Sequence, residues 1–210
     1  MHPRALEHLL RTRDKFQCDR VICLGDEIDA ASFAIKWPLN PDLHSAADEL
    51  KHAIEKLQPL YKEFPHVEVL ESNHGMRIFK KARVSGLPSA VLRRYQEILE
   101  YPDGWTLHTH LEADGVYATH GEGFNRTSWK SAHEKMKQSV AIGHLHSNGG
   151  VVYSRNFKKM YFSANFGCLI DPRHTAFDYG RHISEKPTIG CGVIIDGEEC
   201  YFVRMPEKML

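Results

Sequence analysis

The sequence predicts an α/β fold built as two stacked mixed β-sheets flanked by helices. Four short β-branched or aliphatic runs each stop at Asp, Asn or His, as strands do when they end at a ligand-facing edge. Helical periodicity dominates the first half of the chain, and antiparallel hairpin signals dominate the second. No repeat, linker or low-complexity tract interrupts the 210 residues, so residues 1–210 are expected to form one domain with a sizeable core.

Pro3 to Phe16 reads as the first helix: Ala5, Leu6, Leu9 and Leu10 share a face, and Pro3 suits a first helical turn. Val21 to Asp26 reads as a strand. Ala30 to Asp42 is irregular, with Pro38 and Pro41 as breakers and Trp37 expected over the rim of the site. Leu43 to Phe64 is a long helix, since Ala46, Leu50, Ile54, Leu57 and Tyr61 recur at helical spacing. Val67 to Glu71 is the next strand, and Pro88 opens a helix running to about Leu99. Trp105 to Glu112 alternates as one strand, which places His108 and His110 on one face. Those two read as packing or surface residues. Asp114-Gly115 turns the chain into a strand at Val116 to Thr119. A helix near Thr127 to Lys137, capped by Asn125 or Thr127, precedes short strands at Ala141, Val151 to Tyr153 and Met160 to Ser163. Ile194 to Arg204 closes the chain as a hairpin around Asp196-Gly197.

The formal charge is zero with His neutral, which argues against a global basic field for nucleic acid. The five cysteines form no CxxC pair, and no apolar run is long enough to span a membrane; the expectation is a reduced, cytoplasmic protein. Cys23 and Cys200 lie in strand-like runs and read as small core residues. Fourteen histidines are the compositional outlier, and several end the apolar runs.

Those ends are Gly25-Asp26-Glu27-Ile28-Asp29, Ser72-Asn73-His74, His120-Gly121 and Gly143-His144-Leu145-His146. Oxygen donors from Asp and Asn mixed with imidazole nitrogens suit Mn, Fe or Zn better than Ca or Mg. The order Gly-Asp-x-x-Asp, Asn-His, His-Gly, Gly-His-x-His resembles the calcineurin-like metallophosphoesterases over most of the chain. Ser72 stands where that family has its first Gly, and Gly75 stands where it usually has an acidic residue.

The resemblance implies an α/β sandwich that hydrolyses phosphomonoesters or phosphodiesters, with a nucleotide or nucleic acid as leading substrate. Asp26 would bridge two cations. Asn73, His120 and His144 would complete one ion, and His146 would serve the other. His74 would be the catalytic acid, and Asp29 either orients it or caps the next helix. Arg77 is either a phosphate contact or a solvated arginine, and the basic stretch Arg77 to Arg94 either lines the substrate path or is a solvated face. Mn is the expected metal, with Fe, Zn, Ni or Mg as alternatives. A bridging hydroxide would attack phosphorus in line while the ions offset the developing charge.

The family's opening Asp-x-His strand has no counterpart ahead of Asp26, where the chain begins Met1-His2-Pro3. The first cation then keeps only Asp26 and His146, so one tight and one weak metal site are expected. His2 reads as a mobile terminal residue more readily than as a ligand. A sheet lacking that strand is expected to recruit a second copy or a partner along its edge. Two alternatives stay open: a catalytically impaired binding or scaffold protein, and a natural chain carrying the strand ahead of Met1.

Overall fold

The computed structural model describes residues 1–35, 45–171 and 186–210. The readings placed on Trp37, Pro38 and Pro41, and on the first residues of the Leu43 helix, lie outside the described residues. The fold is α/β. Backbone contacts gather the chain into two compact units, Arg20–His108 and a second made of Met1–Asp19 with Thr109–Leu210.

The first, a parallel-sheet unit, holds strands β1 (Ile22–Cys23), β2 (Val67–Leu70) and β3 (Trp105–His108) in the order β1-β2-β3. All three run parallel, with Ile22 opposite Glu68 and Val67 opposite Trp105. This sheet is therefore parallel where a mixed one was expected, and β1 keeps only two residues of the Val21 to Asp26 run. Helix α2 (Ala46–Glu63) connects β1 to β2. Ser45 caps it, its hydroxyl oxygen accepting from Asp48 N–H at 3.2 Å, and Leu57 and Tyr61 are its buried residues. Helix α3 (Arg77–Val84) follows β2 where no helix was expected. The helix expected from Pro88 to Leu99 is broken. Only a single 3-10 turn at Ser89–Val91 and the short α4 (Tyr95–Ile98) form, because Leu92 and Arg94 are extended and swing Tyr95 inward.

The second, a mixed-sheet unit, orders its main sheet β4-β5-β6-β8-β7. These strands are β4 (His110–Ala113), β5 (Val116–Thr119), β6 (Ser139–Ile142), β7 (Gly149–Arg155) and β8 (Met160–Phe166). β5, β6 and β8 are parallel, while β4 and β7 pair antiparallel at the edges. Every residue of β6 is buried, which explains why its sequence is apolar without alternation. Asp114 and Gly115 turn β4 into β5 with φ of +51° and +75°, as the Asp-Gly pair predicted. Hairpin β9 (Gly190–Ile195) and β10 (Glu199–Arg204) turns at Asp196-Gly197, again with positive φ at both residues. The helix expected at Thr127 to Lys137 divides into a 3-10 turn at Ser128–Ser131 and α5 (Ala132–Met136), and the Asn125 side chain caps it by accepting from Ser128 N–H at 2.8 Å.

Two sequence readings change here. The run Trp105 to Glu112 is two strands, β3 in one unit and β4 in the other, so His108 and His110 do not share a face. His108 meets the Thr106 hydroxyl, and His110 stacks on Tyr117. Helix α1 (Ala5–Phe16) buries Ala5, His8 and Thr12, not a leucine stripe. The polar pair is tolerated because it is bonded: His8 Nε2–H donates to Val203 O on β10, and Thr12 donates to His8 O. His2 is likewise buried and bonded. Its N–H donates to Leu169 O, and its Nδ1 accepts from Arg4 N–H. The five cysteines carry no disulfide. Cys200 is a core residue, and enclosure pushes the Cys23 thiol up to about 12. Among the described residues no helix is long and apolar enough to cross a membrane.

Candidate functional site

In the mixed-sheet unit the three parallel strands β5, β6 and β8 finish at one edge, and two motif histidines and a buried asparagine lie there. His120 follows β5, Gly143-His144 follows β6, and Asn165 lies at the end of β8. His144 Nδ1 stands 3.2 Å from His120 Nε2, with ring centroids 5.0 Å apart. Backbone geometry sets this pair. Gly143 N–H donates to His120 O, which carries the β5–β6 pairing past the strand ends. Leu145 N–H then donates to Gly143 O at 2.6 Å, closing a three-residue turn with His144 at its centre and φ of +60°. Asn165 is fully buried and clamps that turn by donating to Gly143 O at 3.1 Å.

Gly121 is needed for two reasons. Its φ is +110°, and a Cβ there would stand 3.2 Å from Ile142 Cβ and 3.4 Å from His144 Cβ. The His-Gly motif thus lets the end of β5 close onto the end of β6. Two residues apart, His144 and His146 would point to the same side of an extended chain, but β6 ends at Ile142 and His144 sits in a tight turn, so alternation does not fix where the His146 ring points. The His146 carbonyl accepts from Thr188 N–H.

In the parallel-sheet unit, β1 runs into Gly25-Asp26, both with positive φ, and Asp26 at +58° joins His144 as a motif residue in the left-handed region. Such conformations cost free energy and gather at functional loops. After β2, Ser72 pins the turn that carries Asn73 and His74: its hydroxyl accepts from Gly75 N–H and its carbonyl from Met76 N–H. His74 is held at both nitrogens. Asp29 Oδ1 accepts at Nδ1 over 2.7 Å, and Arg77 Nη2 reaches Nε2 at 3.3 Å. A guanidinium only donates, so the network assigns His74 as the neutral Nδ1–H tautomer with Nε2 accepting.

Arg77 also donates to Asp29 Oδ1 and to Asp29 O, so it is an ion-pair partner and not a solvated arginine. Asp29 orients His74 and caps no helix; the Ala31 and Ser32 N–H groups go to the Glu49 carboxylate instead. Burial would raise the Asp29 carboxyl, but the hydrogen bond from His74 and the neighbouring Arg77 guanidinium outweigh it and leave it below its ordinary value.

The donor chemistry fits a divalent cation. Two imidazole nitrogens bound side by side at about 2.0–2.1 Å from one ion lie roughly 3.0–3.4 Å apart for octahedral to tetrahedral angles. The His120–His144 nitrogens stand within that range, held here by a hydrogen bond between the two rings. Three residues that motif reading passed over also matter: Glu27, Tyr95 and Asn165. Only Glu27 lay inside a motif, and the buried asparagine left no signal in its apolar strand. Set against protein-family models and curated protein sequences, the chain matches none.

Proposed function

We propose that the protein is a metal-dependent hydrolase of phosphomonoesters or phosphodiesters, nucleotides and nucleic acid included, with the α/β sandwich that its motif order implies. The observation that carries the reading is the imidazole pair, whose 3.2 Å spacing suits adjacent ligands on one ion. In this reading Asp26, Asn73, His120 and His144 hold a tight cation, Mn first among the candidates. Asp26 and His146 hold a weaker one. Bound there, a cation would acidify water and offset charge on the phosphoryl oxygens.

The chain's own residues supply the rest. An anionic ester competes for the Arg77 guanidinium, which can donate two hydrogen bonds to phosphoryl oxygens. Release of His74 Nε2 lets it take a proton from solvent water and pass it to the leaving oxygen, while Asp29 keeps the ring aligned through Nδ1. Recruitment of a second copy or a partner along the parallel sheet's edge belongs to the same proposal, as does a cytoplasmic location.

The test is hydrolysis of bis(p-nitrophenyl) phosphate with excess Mn, expected to be slow, stopped by EDTA and lost in Asp26→Ala. Metal analysis after desalting should find about one retained ion, because four protein donors face two. Wild type no faster than Asp26→Ala with Mn, Mg, Zn and Ni would overturn the enzyme reading. A second reading, a binding protein of the same shape that turns over poorly, draws on Arg77 occupying His74 Nε2. Retained Mn without Asp26-dependent hydrolysis would favour it.

A further inference from the structure

Within the first motif, Glu27 has no part in the ligand set above, yet two tyrosine hydroxyls hold its side chain. Its Oε1 accepts from Tyr95 Oη at 2.6 Å and from Tyr101 Oη at 2.7 Å. Its Oε2 is enclosed and has no hydrogen-bond partner among the described residues. Enclosing a carboxylate is costly unless its charge is met, so this contact persists only because two hydroxyls are aimed at it.

The hydroxyls are rigidly aimed. Tyr95 packs edge-on to Tyr101 at 6.0 Å, Tyr101 on Trp105 at 5.4 Å, and Trp105 on Tyr61 at 4.7 Å. That row is fastened to the backbone twice, by Tyr61 Oη donating to Leu99 O and by Trp105 Nε1–H donating to Phe64 O.

Tyr95 touches the second motif as well. A Cβ on residue 75 would stand 2.5 Å from Tyr95 Oη and 2.9 Å from its Cζ. Gly75, where the resembled family usually has an acidic side chain, is the residue that admits Tyr95. One tyrosine therefore meets the loop bearing Asp26 and the turn bearing Asn73.

We propose that Glu27, gripped by Tyr95 and Tyr101, is a positioning residue that fixes the Asp26 loop and, through Tyr95 against Gly75, the Asn73 turn for a divalent cation. The proposal rests on the metal reading. It names no ligand beyond those already given; it says what keeps two of them in place.

The test titrates Mn into desalted full-length protein and records thermal stability alongside. Tyr95→Phe/Tyr101→Phe keeps both rings and removes both donors; Mn affinity should fall about 10- to 100-fold, as for other partners that orient metal ligands. Glu27→Gln keeps an oxygen for both hydroxyls and should bind Mn well above the double variant. Adding Glu27→Leu to the double variant removes the unmet charge. Thermal stability should then recover while Mn affinity stays low. Should the double variant not fold, Tyr101→Phe alone leaves Tyr95 in place and should show a smaller drop.

Mn binding unchanged in the tyrosine variants, or recovering together with stability, would overturn the positioning role. So would Glu27→Gln binding as poorly as the double variant, since charge alone would then explain the loss. Wild type that takes up no Mn fails at the metal reading itself, which separates the two failures.

Discussion

His120 and His144 are brought together by backbone: a pairing that runs past two strand ends, a glycine at φ +110° and a turn closed across His144. In the parallel-sheet unit the corresponding work falls to side chains, with Asp29 and Arg77 on His74 and two tyrosines on Glu27. The difference teaches where each site is vulnerable. A donor pair set by φ and close approach should fail on steric change and be indifferent to charge. A donor set by ionised partners should fail on loss of charge or on acid.

The largest expected effect tests the side-chain network. His74→Ala should lower turnover about 100- to 10,000-fold, the usual contribution of a placed proton donor, with Mn content unchanged. Loss of the metal along with the rate would make His74 a ligand and erase the contrast.

Next comes the backbone-set pair. Gly121→Ala imposes a strained φ and a contact with Ile142 and His144, and should cost about 1–3 kcal/mol in urea unfolding. Mn affinity should fall with it. Gly75→Ala adds no strained φ; its cost comes from pushing the Tyr95 ring off Glu27, and should be read as lost Mn affinity more than as lost stability. Equal costs would mean that the two glycines answer the same constraint.

Acid sharpens the comparison further. The folded-state Asp29 carboxyl lies below its unfolded value, so its contribution is present above the unfolded value and is lost as pH falls through the folded one. Stability should therefore drop below about pH 4, and Asp29→Asn should flatten that limb. An unchanged limb would mean that Asp29 carries no linkage.

The smallest effect belongs to the mixed-sheet unit. Burial holds His133 and His8 below the ordinary imidazole value, so they favour the folded state above the unfolded value and lose that as pH falls below about 6.5. His133 Nδ1 meets the Ser163 hydroxyl at 2.6 Å, and its Nε2 is enclosed with no hydrogen-bond partner among the described residues. Thermal unfolding of His133→Leu should show a shallower pH dependence over that range at little cost in stability near neutrality. A steeper dependence would exclude this origin.

Much of the fold was legible because its signals are local. Asp114-Gly115 and Asp196-Gly197 call for positive φ at adjacent residues whatever surrounds them, and both turns form where the dipeptides stand. The same holds for the strand ends that carry Asp26, His120 and His144. Asp29 next to His74 was half legible, as one of two roles open to it.

Other features were decided by partners far along the chain. The alternation from Trp105 to Glu112 fits one strand, yet the pairing partners of Trp105 and His110 lie in different sheets. The buried face of α1 is polar because His8 reaches Val203, 195 residues on, and a leucine count has no means of finding that bond. Glu27 is met by tyrosines 68 and 74 residues away, which no spacing rule connects to Gly-Asp-x-x-Asp. By itself, then, the sequence determined the turns, the caps and the order of donor residues, since each depends on the conformational preferences of a few neighbours. Only the tertiary structure decided which polar groups could be buried. That choice depends on desolvation offset by hydrogen bonds, and those partners meet only after the chain has folded.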